Sequence, residues 1–294
     1  MTLIQAILLG VVQGITEFLP ISSSGHLAVL KYLFGMKDVG LTFDIFLHVG
    51  TLIAIVAVYY KDVWLLIKNA CILIAALARN LVIAVRKLFD REAEDLEFQK
   101  VADTPYKRFV WLIVVSCIPL GVIGFLCADY IEMISKGLFI PGICFLITGV
   151  ILLLGESFPV GNTDMENMSF GSAVVIGIAQ ALSIFPGISR SGTTVSAGLM
   201  CGLDREFAVK YSFILSIPAV IGAALKSVIG ISGKSAALGG QGLYYLAGMA
   251  AAAIVGFFAI KLLQVIVRKR GFKYFSIYCF VIGIASIVGF ICTR

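Results

Sequence analysis

Two short polar stretches carry the groups that could do chemistry. The first, Thr16 to His26, reads TEFLPISSSGH and supplies a carboxylate (Glu17), three consecutive hydroxyls (Ser22, Ser23, Ser24) and an imidazole (His26). The second, Pro186 to Thr194, reads PGISRSGTT and supplies a guanidinium (Arg190) among the hydroxyls of Ser189, Ser191, Thr193 and Thr194. A guanidinium matches a phosphate bidentately, and helix starts at Ser/Gly turns (Gly25, Gly192) aim unpaired N–H groups and positive dipole ends at an anion. Hydroxyls complete an oxyanion cradle. A histidine with a neighbouring carboxylate adds a nucleophile or proton donor whose tautomer the carboxylate fixes, or a metal site built from Glu17. These groups point to phosphoryl transfer, with water as acceptor in the absence of ATP-loop and kinase motifs.

Both stretches interrupt sequence written for lipid. The chain has 294 residues, 60% hydrophobic and 14% charged, against about one-quarter charged in soluble domains. It reads as a polytopic membrane protein. The net charge of +6 comes from basic residues that flank hydrophobic spans, which sets topology and excludes a nucleic-acid-binding face. No basic residue precedes Lys31, so the first segment is expected to stay in place. Seven cysteines fall within apolar runs at unpaired spacings and read as small core hydrophobes.

Six stretches are long enough to span: Thr42 to Tyr60, Phe109 to Cys127, Leu138 to Gly155, Phe207 to Ile229, Leu243 to Val267 and Tyr274 to Thr293. Two more, Leu3 to Phe34 and Phe170 to Met200, are broken by Pro, Gly and Ser clusters and read as re-entrant helical hairpins. Irregular backbone is tolerated in a membrane only where protein or a wet cavity satisfies it, so the breaks mark the functional cavity. Val63 to Val85, interrupted by Lys68, Asn69, Arg79 and Asn80, reads as an amphipathic helix on the cytoplasmic surface. Sixteen of the 23 Lys and Arg fall in 61–108, 205–210 and 261–273. That asymmetry places these loops in the cytoplasm and both termini outside. The loop from Ser157 to Ser169 then lies in the cytoplasm with no Lys or Arg.

The two polar stretches are copies of one another. GVVQGITEFLPISSSGH (Gly10 to His26) and GIAQALSIFPGISRSGT (Gly177 to Thr193) agree at seven of 17 positions without gaps, at an offset of 167. Three spans follow each hairpin, and an odd unit duplicated in tandem inserts upside down. The expected fold is therefore all-α, six transmembrane helices plus two re-entrant hairpins in an inverted repeat. Repeat 1 covers 1–156, with its hairpin at 1–35 and a charged cytoplasmic segment at 61–108. Repeat 2 covers 157–294, with its hairpin at 170–202. Chemistry appears where the copies differ: Glu17 faces Ile184, Ser23 faces Arg190 and His26 faces Thr193.

Simpler readings apply to some positions. A serine taken singly in a membrane helix serves close packing more often than catalysis. Asp44 and His48, at i and i+4 on one span, read as a satisfied polar pair supporting the hairpin. GMKDVG and GLDREF, after the hairpins, read as turns.

QGITEFLPISSSGH together with PGISRSGTT resembles the undecaprenyl-diphosphate phosphatases of the bacitracin-resistance type, over nearly the whole chain. FDIFLHVGTLIAIV and SFILSIPAVIGA extend the likeness. The resemblance implies hydrolysis of undecaprenyl diphosphate to undecaprenyl phosphate and inorganic phosphate, recycling the lipid carrier for cell-wall polymers. It implies a divalent cation, Mg2+ or Ca2+, and a site open to the outer face of the bacterial cytoplasmic membrane. The family's motif lands on Gln13, Glu17, Ser23, His26 and Arg190, with Gln13 standing where some members have Glu. Glu17 is then the essential acid and Gln13 a secondary contact.

The attacking group is either His26, oriented by Glu17, or Ser23, with His26 as base; the first is favoured. Type 2 phosphatidic acid phosphatases are excluded because Ser196 stands where their SRxxxxxH motif needs His. The inverted repeat is also transporter architecture, so a lipid-phosphate flippase is the alternative function. One chain carries both half-sites, so a homodimer is allowed but not required.

Overall fold

The computed structural model describes residues 1–36, 41–89, 95–134, 138–231, 242–269 and 271–292. The described residues form eleven helices: α1 (Leu3–Phe18), α2 (Ser23–Leu33), α3 (Leu41–Val58), α4 (Tyr60–Phe89), α5 (Pro105–Ile134), α6 (Phe139–Ser157), α7 (Phe170–Leu182), α8 (Arg190–Met200), α9 (Arg205–Ile231), α10 (Gly242–Arg268) and α11 (Phe272–Cys292). No strand occurs among them beyond an isolated bridge between Thr163 and Leu203.

The two broken segments end and restart where their residues dictate. Leu19, before Pro20, turns extended (ψ 141), as steric clash with the proline ring requires, and α1 stops. Ser22 and Ser189, 167 positions apart, then cap α2 and α8 in the same way, each side chain accepting from the N–H three residues on, Gly25 and Gly192. Both restarted helices have 11 residues, about 16 Å of rise against a hydrocarbon core of about 30 Å. Neither can cross alone. At the far ends Gly35 (φ 64) and Gly202 (φ 79) take the left-handed conformation that closes a helix, as the turn reading expects. The remainder of the first turn, 37–40, lies outside the described residues.

Packing exchanges partners between the two halves. α1 lies along α10, α7 lies along α5, and α6 pairs with α11. Each broken segment rests on a long helix of the other half, α1 on α10 and α7 on α5, and α10 also lies along α3. Contact is close because the facing residues are small. A Cβ on Gly14 would come 2.8 Å from the Ala252 carbonyl oxygen, and one on Gly177 2.5 Å from that of Ser116. Ser116 also donates to the Ala173 carbonyl at 2.6 Å, tying α5 to α7.

The basic stretches gather at one end. Lys210 pairs with Asp62 (2.7 Å), Arg268 with Glu206 (2.8 Å) and Arg205 with Glu156 (3.8 Å). The 157–169 loop, which lacks basic residues, joins the same end because Arg108 donates to the Glu166 and Met168 carbonyls. α1 runs in the direction of α10, with Gly10 against Gly248 and Gly14 against Gly256, so α1 starts at the opposite end from Arg268.

Six helices among the described residues are long and apolar enough to cross a membrane, but they are not the expected six. α4, read as a surface helix, is one continuous helix of 30 residues and meets the measure; α3 falls among the shorter apolar helices. The chain leaves the basic end at the start of α4 and is back there at the start of α5, where Tyr106 donates to Asp62 (3.3 Å), after a segment that meets α4 through two hydrogen bonds between Asn80 and Gln99. Cys144 and Cys279 are buried, as core hydrophobes should be, whereas Cys71 and Cys292 are exposed. The side chain of Cys127 is outside the described residues.

Candidate active site

Glu17 is the centre of the site. It sits in the last turn of α1, 8% exposed, and three donors meet its carboxylate. From one turn below, Gln13 donates its amide to Oε2 at 2.9 Å. Ser23, the first residue of α2, donates its hydroxyl to the same oxygen. Arg190, the first residue of α8, pairs through Nη2 with Oε1. The start of each restarted helix therefore meets one carboxylate, and the position at which the copies differ, Ser23 against Arg190, supplies both partners.

The turn that delivers Ser23 is strained. Ser22 has φ 68, the only non-glycine residue at positive φ among those described. Non-glycine residues hold this region only where surrounding structure enforces it, and such positions concentrate at functional sites. Gly25 must be glycine here, because a Cβ would meet the ring of Phe145 at 2.5 Å and the Gly187 backbone at 3.0 Å.

A cavity of about 200 Å³ opens beside this cluster. Of the residues singled out in the sequence, Glu17, Ser22, Ser23, Ser24, Ser189 and Arg190 line it. Ser191, Thr193 and Thr194 are buried behind: Thr193 and Thr194 return their hydroxyls to carbonyls of their own helix, and Ser191 reaches the Leu19 carbonyl at 3.4 Å. Gly25 and Gly192 act through backbone N–H groups that Ser22 and Ser189 already engage. Gln13 touches the site only through Glu17.

His26 is not beside Glu17. It lies three residues past Ser23, about 60° around α2 and about 4.5 Å further along. There its Nδ1–H donates to the Ser22 carbonyl (2.7 Å) and its Nε2 accepts from the Tyr278 hydroxyl (2.7 Å). The ring stacks on Tyr278 at 5.6 Å and meets Phe145 edge-on at 5.2 Å. Both nitrogens are occupied: Nδ1 within α2's own first turn, Nε2 in a bond that braces α2 against α11, while the ring packs on Phe145 of α6.

The histidine that faces Glu17 is His48 of α3, which lines the cavity with Nε2 3.9 Å from Oε2. The expected side-chain pair with Asp44 does not form. His48 Nδ1 lies 2.7 Å from the Asp44 backbone carbonyl, while the Asp44 carboxylate takes Lys31 of α2 at 2.6 Å through both oxygens. Asp44 thus supports the hairpin, as expected, through lysine. Spacing could have raised His48 as a candidate, since a polar i, i+4 couple on an apolar helix needs partners. Only the tertiary fold names them.

Beyond the carboxylate the cavity continues into an apolar groove of about 500 Å³ between α5 and α9, lined by Cys117, Gly121, Gly124, Phe125, Pro218 and Gly222. Leu120, Ile184, Ala219 and Ala223 border both spaces. Ile184, the counterpart of Glu17, stands where polar cavity becomes oily groove.

The sequence pattern of the family described as bacitracin resistance protein BacA matches residues 6–285. The chain belongs to this family. The relatives bear it out along their whole length. An undecaprenyl-diphosphatase of Methanosphaera stadtmanae is 43% identical over 286 residues, 97% of each chain. One from Methanobrevibacter smithii is 38% identical over 293 residues, 98% of each. One from Carboxydothermus hydrogenoformans is 36% identical over 285 residues, 97% of this chain and 96% of its own. The BacA family chain is a multi-pass membrane protein in composition and in its long apolar helices.

The divalent cation that the sequence resemblance implies finds no protein-built cage. No group of three or more His, Cys, Asp or Glu among the described residues could hold a metal. Glu17 itself is engaged by Arg190, Ser23 and Gln13.

Proposed function

We propose that the protein hydrolyses undecaprenyl diphosphate to undecaprenyl phosphate and inorganic phosphate, returning the lipid carrier to cell-wall polymer synthesis and conferring bacitracin resistance. One observation carries this reading: a serine hydroxyl bonded to a buried carboxylate, next to an arginine, in a cavity that continues into an apolar groove. The groove suits a prenyl chain and the polar end suits its diphosphate.

In this reading Ser23 is the nucleophile. Its Oγ forms a bond to the terminal phosphorus while the bond from that phosphorus to the bridging oxygen breaks. Glu17 Oε2, which already accepts the Ser23 hydroxyl, takes its proton and passes it to the departing undecaprenyl phosphate. Arg190 and the N-terminal ends of α2 and α8 stabilise charge on the phosphoryl oxygens. His26 is left to position α2, because both its nitrogens are engaged elsewhere. A divalent cation, Mg2+ or Ca2+, would have to arrive with the substrate and would offset charge on its phosphates, since no cluster of ligands for it occurs among the described residues.

The basic end is taken as cytoplasmic, which puts both termini and the open side of the first hairpin outside. α4 and the 95–104 segment then form an excursion along the cytoplasmic face, and the two hairpins are re-entrant from opposite sides. Labelling of Thr2→Cys by an impermeant thiol reagent in intact cells tests the orientation. Phosphate release from undecaprenyl diphosphate by the detergent-purified protein tests the activity. Movement of undecaprenyl phosphate across liposomes without any release would favour the flippase instead.

A further inference from the structure

Serine chemistry explains the first half of the reaction and leaves the second without a base. Once Ser23 carries the phosphoryl group, a water must be deprotonated to remove it. Glu17, paired with Arg190 through Oε1 and bonded by Gln13 at Oε2, is the weaker acceptor for that proton, although Oε2 loses its Ser23 donor in the phosphoenzyme and is free to pass a proton on.

His48 is the other titratable side chain that faces this carboxylate, and its tautomer is fixed by its surroundings. A carbonyl oxygen only accepts, so the Nδ1 that lies 2.7 Å from the Asp44 carbonyl carries the proton. In the neutral imidazole Nε2 then presents a lone pair to the cavity. It lies 3.9 Å from Glu17 Oε2, beyond hydrogen-bonding distance, and the side chain keeps 35% of its surface exposed. Two acceptors so disposed converge on a donor: a water about 2.8 Å from each would give one hydrogen to Nε2 and one to Oε2. Asp44 cannot turn to compete for the ring, because Lys31 holds both its oxygens.

We propose that His48 is the base that activates the water which hydrolyses the Ser23 phosphoester. The inference rests on the serine reading above. The water oxygen forms a bond to phosphorus as the bond from phosphorus to Ser23 Oγ breaks. One water proton moves to His48 Nε2 and the other stays on the phosphate product. Ser23 Oγ, leaving as an alkoxide, recovers a proton relayed from Nε2 through Glu17 Oε2, which neighbours both groups. His48 ends neutral and Ser23 ends as the hydroxyl.

The test follows the terminal phosphate. Undecaprenyl diphosphate labelled with 32P in that phosphate is mixed with detergent-purified His48→Gln protein and quenched in acid at intervals. Steady turnover should fall by about 10²-fold or more. Undecaprenyl phosphate should still appear as a burst of one equivalent, which shows that the variant is folded, and label should accumulate on Ser23. In His48→Ala, added imidazole should raise the steady rate and leave the burst unchanged. Wild-type turnover in His48→Gln would overturn the assignment, as would slow turnover with neither burst nor label. Turnover that survives in Ser23→Ala would instead overturn the serine reading.

Discussion

Removing the Arg190 guanidinium should destroy activity and stability by separate routes. Arg190 and Glu17 form an ion pair whose side chains are 19% and 6% exposed. In Arg190→Ala the carboxylate stays buried without its cation, and breaking a buried pair by removing one partner costs about 3–5 kcal/mol. The same change removes the cation that stabilises the phosphoryl transition state, a role that an arginine fills elsewhere at about 10³–10⁵ in rate. That corresponds to roughly 4–7 kcal/mol of barrier. The two losses part company in Glu17→Gln/Arg190→Met, which has neither charge and keeps the volume. The double variant should recover most of the stability lost in the single one and none of the activity. The assays are phosphate release and the midpoint of denaturation in one detergent. Arg190→Ala turning over within tenfold of wild type would refute the role of the guanidinium. A double variant as unstable as the single would refute the claim that an unpaired carboxylate causes the instability.

Two further predictions concern positioning. Gly177→Ala should destabilise the protein, because its Cβ would press on the Ser116 backbone, whereas Gly171→Ala should be neutral, its nearest neighbour lying at 3.6 Å; equal denaturation midpoints for the two would contradict the close α5–α7 contact. His26→Ala and Tyr278→Phe should be non-additive in stability by about 1 kcal/mol, since the two rings share one hydrogen bond and one stacking contact; additive losses would show that the brace is absent.

Much of the site was legible because repetition exposes it. A gapless offset of 167 in the sequence placed the starts of α2 and α8 at matching residues, and the structure caps both with the matching serines. The chemistry lay where the copies diverge, at Ser23 and Arg190, and these residues meet on Glu17. What stayed hidden depended on long-range contacts. Which way His26 turns is set by a tyrosine 252 positions away, and no local pattern around TEFLPISSSGH encodes that partner. His48 looked like one half of a helical couple with Asp44. Lys31 claims the carboxylate, and the imidazole is left to face Glu17. α4 shows the limit of hydropathy: its 30 residues are apolar enough to span, yet Asp62 near its start touches Tyr106 at the start of α5. Average hydropathy cannot report where a chain returns.

The central claim, that Ser23 attacks undecaprenyl diphosphate with Glu17 as its base, is tested most directly by one comparison. Inorganic phosphate release from undecaprenyl diphosphate is measured for wild type and Ser23→Ala, matched for elution volume and denaturation midpoint in one detergent. The account predicts one phosphate per undecaprenyl phosphate from wild type and no release above background from Ser23→Ala. Release from Ser23→Ala at a rate near wild type would contradict it.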